Sequence, residues 1–249
     1  APPENAVASD EEITYLIDAV NELFPHVGLT RDDVALHYSG VRPLPRSSAK
    51  SPGAVTRRHW IEEEHAGDVP ALTLLDGKLT TSRSLGEQTT DRVLELLHGE
   101  RTADTKERFV PGGENYPANA AALQAEFDRL AGDFDLHSDQ IAAVWRFFGT
   151  QTAEVLEQCE QLPGENVDGT HIPLPVVRWI IQQEWVQTLG DLVERRILLI
   201  FEPAVTRRAL EQLAALLVDA EKLPDHSAAA AVDALIERLS QHYGISVSV

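Results

Sequence analysis

Residues 176–196 read VVRWIIQQEWVQTLGDLVERR. Apolar side chains recur there at the three-to-four spacing of a helix. Carried on to Phe201, the stretch predicts one long helix, Val177–Phe201, bent near Gly190. Working outward, the same spacing predicts helices over Ala118–Leu130, Ser138–Phe148, Thr150–Gln161, Pro173–Gln187, Leu189–Ile200, Ala204–Glu221 and Ser227–Tyr243. Pro163-Gly164 and Pro224 punctuate them. Residues 111–249 are therefore expected to form an all-α domain.

Upstream of that domain the pattern lapses. Residues 98–117, HGERTADTKERFVPGGENYP, read as a linker with a PGG turn, and the domain boundary is placed near residue 110. Residues 1–110 read as mixed α/β. Ser9 or Asp10 caps a helix over Asp10–Phe24 with the stripe Ile13, Leu16, Ile17, Val20, Leu23 and Phe24, and Pro25 ends it. Strands are expected over Asp33–Val41, Val55–Glu62 and Ala71–Leu75, with Ser47–Gly53 as a polar loop. Thr80 or Thr81 is expected to cap a further helix running to about Leu97. Three strands with a helix at each end bury their faces poorly, so other chain should cover them. The fold class is thus a partial α/β region, the end of a larger domain, followed by an all-α C-terminal domain.

Composition narrows the functions. The chain has 249 residues, 40 Asp and Glu against 21 Lys and Arg, and a net charge of −19. That balance argues against nucleic acid and against anionic membrane surfaces as partners. No apolar run approaches the ~18 residues of a membrane span. Cys159 stands alone, which removes a disulfide framework and fits a reducing cytoplasm. The nine histidines show no metal-ligand spacing, so no metal site is expected. GxGxxG, P-loop and GxSxG motifs are absent. The chain begins with Ala and has no Met, which reads as a processed form or a fragment.

Three segments carry chemistry: YSGVRPL at 38–44, AVTRRHW at 54–60 and DGKLTTSR at 76–83. Residues 34–61 contain no acid but hold Arg42, Arg46, Lys50, Arg57 and Arg58. Such a window is either a solvated basic loop or a focused anion site in an acidic protein. Arginine forks bind phosphate bidentately, so Arg42 and Arg57 from neighbouring strands would clamp one dianion; otherwise each pairs with surface acids. In DGKLTTSR a strand turns through Gly77 into a helix opened by Thr80 and Thr81, beside Lys78. The free N–H groups and partial positive charge of a helix start stabilise an anion. The plain alternative is an ordinary strand–turn–helix with a threonine cap.

In order and approximate spacing these three segments resemble the FAD-dependent glycerol-3-phosphate dehydrogenases, where the last motif is typically GGK, Leu or Ile, then TTYR. VVRWIIQQEWVQTLGDLVERR is similar to that family's C-terminal signature, and the PGG turn at 111–113 also fits. The resemblance covers about Asp10 to Asp219. It implies that Arg42 and Arg57 contact the substrate phosphate and the mouth of the site. Lys78 would lie near substrate and flavin, and Gly77, Lys78, Leu79, Thr80 and Thr81 would line the flavin ring. It implies FAD as cofactor and glycerol 3-phosphate as substrate. The partners it implies are an N-terminal FAD-binding half that supplies the catalytic base, a quinone or other electron acceptor, and a possible homodimer. Localisation follows as cytoplasmic, with any peripheral membrane association made through the full enzyme. No catalytic residue and no metal ligand is expected within this chain. Asp76, Ser82 and Arg58 depart from the family pattern. Two alternatives stay open: a helical interaction or oligomerisation module, and a glycerol-3-phosphate oxidase that uses oxygen.

Overall fold

The computed structural model describes residues 5–41, 58–75, 78–202 and 205–248. The chain divides into two compact units, residues 40–108 and residues 1–39 together with 109–249.

The smaller unit is a hairpin and a helix. Strands β1 (Trp60–Ala66) and β2 (Val69–Leu75) pair antiparallel, in register from Trp60 opposite Leu75 to Ala66 opposite Val69. Gly67, at φ +67°, opens the two-residue turn between them, a position that glycine fills without strain. Helix α2 (Ser82–Leu96) follows. Among the described residues of this unit only Leu85 is buried. Arginines tie the pieces together instead. Arg92 donates from Nε and Nη2 to the two carboxylate oxygens of Glu63 on β1, at 2.5 and 2.8 Å. Arg101 donates to Glu87 at 2.5 Å and to Asp91, and Arg83 donates to Glu87 at 3.0 Å. Exposed pairs of this kind each contribute little.

The larger unit is helical: α1 (Asp10–Leu23), α3 (Ala120–Phe134), α4 (Ser138–Phe148), α5 (Thr152–Gln158), α6 (Leu174–Gln183), α7 (Arg207–Asp219) and α8 (Ala228–Tyr243). One apolar cluster joins α3 to α8. Ile141, Leu156, Ile180, Leu192, Leu210, Leu213 and Leu217 are all but sealed from solvent. Each such leucine or isoleucine stabilises the fold by roughly 1.5–3 kcal/mol. Helix α1 starts with a reciprocal capping box. The Glu12 N–H donates to Ser9 Oγ at 3.2 Å, and the Ser9 N–H donates to Glu12 Oε2 at 2.9 Å. The segment after α1 returns to this unit, where the His37 N–H donates to the Tyr243 carbonyl at 3.0 Å.

Three sequence expectations need correction. Asp33–Val41 is not a strand: a 3₁₀ turn occupies Arg31–Asp33 and the rest is irregular. Its apolar alternation reflects half-burial of Val34 and Leu36, not a ladder. The long bent helix is not formed either. Helix α6 stops at Gln183, and a separate π-helical turn covers Asp191–Arg196. Between them Val186 is driven wholly inside while Trp185 stays 80% exposed. The second half has its own cap, because the Asp191 N–H donates to Thr188 Oγ1 at 3.0 Å and the Thr188 N–H donates to Asp191 Oδ2 at 3.0 Å. Third, Thr81 sits at the cap of α2 but makes no side-chain cap bond. Its hydroxyl instead donates back to the Lys78 carbonyl at 3.0 Å. The strand expected at Val55–Glu62 runs Trp60–Ala66 among the described residues, and the loop expected at Ser47–Gly53 lies outside them.

Candidate functional site

The site expected from sequence begins where β2 ends. Arg42, Arg57 and Gly77 lie outside the described residues, so the structure addresses Lys78, Leu79, Thr80 and Thr81. Lys78 is extended, at φ −146° and ψ 124°, and a single 3₁₀ turn over Leu79–Thr81 leads directly into α2. The turn closes on Lys78, whose carbonyl accepts from both the N–H and the hydroxyl of Thr81, at 3.1 and 3.0 Å. The Ser82 hydroxyl donates to the Leu79 carbonyl at 2.7 Å and fixes the next step. The leading N–H groups of such a turn have no acceptor within it. Lys78 and Thr80 are exposed, and the Leu79 side chain is 90% exposed. A strand–3₁₀–helix junction therefore offers backbone donors, a lysine and an apolar side chain on one short segment.

Helix α2 pairs its own charges and those of the hairpin. The Arg92 guanidinium holds the Glu63 carboxyl below the usual range. Arg101, then Arg83, do the same for Glu87. These acids therefore stay ionised, each paired with an arginine. His59 Nε2 lies 3.1 Å from Gln88 Nε2, joining the approach to β1 to α2.

The family signature builds a different place, in the helical unit. Glu194 sits on the π-helical turn with only 8% of its side chain exposed. It accepts from Arg238 Nε and Nη2 at 2.7 and 3.0 Å, and from the Tyr243 hydroxyl at 2.6 Å. Burial pushes the Glu194 pKa up, but the hydrogen bonds from Arg238 and Tyr243 outweigh it, and the net shift is downward. Burial, followed by the bond to Glu194, raises the Tyr243 pKa. All three groups use each other, so this reads as a clasp between the π-helical turn and α8. The sequence showed the charges of Glu194 and Arg238, but their separation of 44 residues carries no local signal.

A cleft of about 780 Å³ also lies in the helical unit. Phe109, Val110, Pro111 and Trp145 line it, with Glu114, Glu126 and Glu154 among its polar groups. Its wall contains the PGG turn, in which the Gly113 N–H donates to the Val110 carbonyl at 2.8 Å and Gly112 takes φ +81°. Proline second and a positive-φ glycine third is the type II pattern. Gly112 lies against Gly149 so closely that a Cβ on Gly112 would stand 2.5 Å from the Phe148 carbonyl oxygen. The Thr150 N–H donates to the Gly112 carbonyl at 3.0 Å.

Backbone donors at a helix start beside a lysine, as at 78–81, are the chemistry that stabilises an anion. The described residues do not suit a dinucleotide's diphosphate. The large cleft is lined by three glutamates, and no glycine-rich phosphate cradle stands among the described residues. Likewise, no cluster of three metal-ligating side chains occurs among them. Burial pushes the Cys159 thiol up to about 11, so it stays protonated and unreactive near neutrality. No helix among the described residues is long and apolar enough to cross a membrane.

Comparison with known proteins follows the same lines. Residues 103–228 match the family described as the C-terminal domain of alpha-glycerophosphate oxidase. A glycerol-3-phosphate dehydrogenase of Synechocystis sp. is 35% identical over 198 residues, which is 76% of this chain and 34% of that protein. A D-erythritol 1-phosphate dehydrogenase of Brucella abortus is 31% identical over 201 residues, 78% of this chain and 38% of that one. The solved structure of glycerol-3-phosphate dehydrogenase from Bacillus halodurans, complexed with FAD, is similar in fold. Its TM-score is 0.64 at 18% identity, covering 96% of this chain and 46% of that one. The chain thus spans between a third and two fifths of the length of these curated relatives.

Proposed function

Because this chain belongs to the family of the C-terminal domain of alpha-glycerophosphate oxidase, matched over residues 103–228, we propose that it is the C-terminal part of a flavoprotein. That flavoprotein oxidises sn-glycerol 3-phosphate to dihydroxyacetone phosphate. In this reading residues 1–110 are the end of the FAD- and substrate-binding region, and residues 111–249 are a helical cap.

FAD, when bound, would supply the hydride acceptor for oxidation at C2 of the substrate. Arg42 and Arg57 take the substrate phosphate bidentately, which fixes the position of C2. Lys78 and the turn Leu79–Thr81 would supply positive charge and backbone donors to the flavin ring, and Gly77 belongs to the same lining segment. The general base and the diphosphate site come from an N-terminal FAD-binding half. Alone, this chain neither holds FAD stoichiometrically nor turns over. The electron acceptor is a quinone or another acceptor, oxygen included, and the enzyme is cytoplasmic, with any membrane association peripheral and made through its full length.

The observation that carries this reading is the junction at 78–81. In support, β2 ends at Leu75, Lys78 and Leu79 are exposed, and the turn Leu79–Thr81 opens α2. The Brucella relative's name widens the substrate class to phosphorylated polyols, so erythritol 1-phosphate belongs in the same assay.

The test is made in the assembled flavoprotein. Lys78→Ala is expected to lower kcat by about 10²-fold or more, and Arg57→Ala to raise KM for glycerol 3-phosphate with a smaller loss in kcat. Unchanged kinetics in both variants would remove the site assignment. Stoichiometric flavin absorbance in this chain purified alone would overturn its dependence on the other half.

A further inference from the structure

The large cleft of the helical unit has a lining that the proposed flavin chemistry does not use. Its volume, about 780 Å³, falls within the range of roughly 300–1,000 Å³ typical of small-molecule sites. Phe109, Val110 and Trp145 make part of it apolar, while Glu114, Glu126 and Glu154 give it charge of one sign. None of the described residues that line it is basic. Elsewhere in the unit the enclosed acids are matched: Arg238 holds Glu194, and Arg146 holds Glu202. In the cleft Glu126 is matched too, by Arg129 at 2.6 Å. The side chains of Glu114 and Glu154, by contrast, make no hydrogen bond or ion pair among the described residues.

The walls are fixed by contacts of their own. Trp145 Nε1 donates to the Tyr116 hydroxyl at 2.9 Å, and the Trp145 ring packs edge-on with Phe127 at a centroid separation of 5.6 Å. The Gly112 carbonyl accepts from the Thr150 N–H, which ties the PGG turn to the chain just past α4. A site formed in advance costs its ligand less ordering.

Charge and shape then choose the ligand. Carboxylates repel an anion, so the cleft does not take a phosphorylated substrate. A compact metal ion is a poor match as well, because no three metal-ligating side chains converge among the described residues. Separated carboxylates beside apolar side chains match ammonium groups joined by hydrocarbon stems. Aromatic rings add to the attraction for such groups. A cleft of one sign in a chain of net charge −19 also concentrates cations where its walls exclude water.

We propose that this cleft binds a linear organic polycation, a small molecule whose ammonium groups pair with Glu114 and Glu154. Its hydrocarbon stems cover Phe109 and Val110, which are 68% and 78% exposed. The inference goes beyond the proposed function and stands apart from it, since it gives the helical unit a ligand of its own.

The test titrates spermidine into the 249-residue chain by calorimetry, at about 0.15 M salt to screen distant charges. Glu114→Gln with Glu154→Gln keeps the shape of the cleft and removes two charges. Asp18→Asn with Glu22→Gln removes two charges from exposed positions on α1 and controls for net charge. Circular dichroism checks the fold of each, and Glu154→Gln alone serves if the cleft pair does not fold. The expected result is one spermidine per chain for the parent and the α1 variant, with binding at least about fivefold weaker in the cleft pair. Hexane-1,6-diol, which has the stem without the charges, should not bind. Equal affinity in the cleft pair and the parent would overturn the proposal, and so would equal losses in both double variants, which would mean binding through net charge alone. A parent that binds no spermidine would overturn it as well. So would tighter binding of tetralysine than of spermidine through the same glutamates, because the occupant would then be a basic peptide.

Discussion

The two compact units hold themselves together in opposite ways. The helical unit seals a continuous apolar cluster from Leu130 to Leu239. The hairpin unit buries Leu85 alone among its described residues and relies on Arg92, Arg101 and Arg83. Burial scales with apolar area, whereas exposed ion pairs are screened by salt and offset by side-chain entropy. The helical unit thus carries its own stability. The proposed flavin-lining turn is found on the hairpin unit.

The comparison breaks most visibly if the helical core proves dispensable. Leu210 is fully buried on α7, and Leu210→Ala is expected to cost about 2–5 kcal/mol in urea unfolding. A loss below the range for surface substitutions would mean the cluster does not carry the unit. Next comes Gly112→Ala. It forces a Cβ to 2.5 Å from the Phe148 carbonyl oxygen at φ +81°, an expected loss of about 2–4 kcal/mol from strain and overpacking together. Tm measurement checks it, with Glu114→Ala as a neutral neighbour.

A smaller effect sharpens the comparison through pH. Glu194 has a lowered pKa in the folded chain against an ordinary value of 4.5. A depressed carboxylate contributes stability that is present above that ordinary value and is lost as pH falls through the folded one. Glu194→Gln is expected to lower stability by about 1–3 kcal/mol near neutrality and to flatten the acid limb below about pH 4.5. Urea midpoints followed downward from neutral pH measure both. Tyr243 has the opposite sign: its raised pKa favours the neutral phenol, so its share persists below 10 and is lost as pH rises through the folded value. The smallest expected effect is in the hairpin unit. Arg92→Ala should speed amide exchange in β1 while leaving the protection of α7 unchanged, and added salt should mimic it in the parent chain. Protection in β1 equal to that in α7 would contradict the contrast itself.

Much of this contrast was legible in the chain. Ser9 and Pro25 bracket α1 because a capping box and a proline act locally, and α4 runs Ser138–Phe148 as its spacing says. The errors arise where a distant contact decides. Val34 and Leu36 alternate, but the segment is satisfied by the tail of α8 through His37 and Tyr243, which no local pattern encodes. The break after α6 did leave a trace: Thr188 and Asp191 have capping-box spacing within the quoted signature. In DGKLTTSR the helix opening after Lys78 was readable, but the redirection of the Thr81 hydroxyl onto Lys78 was not, since a 3₁₀ turn and an α-helical cap share the same residues. The Glu194 clasp was hidden altogether by its 44- and 49-residue separations.

The contact of Gly112 with Gly149 has a consequence for sequence drift. Each glycine blocks a side chain on the other through main-chain atoms. A larger residue at one position therefore cannot be rescued by any exchange at its mate. In a saturation library the two positions should stay empty of survivors while Glu114, two residues from Gly112 and exposed, accepts nearly anything. A pair of vetoes inside an otherwise permissive stretch would mark this contact in any set of relatives, even where overall identity has faded.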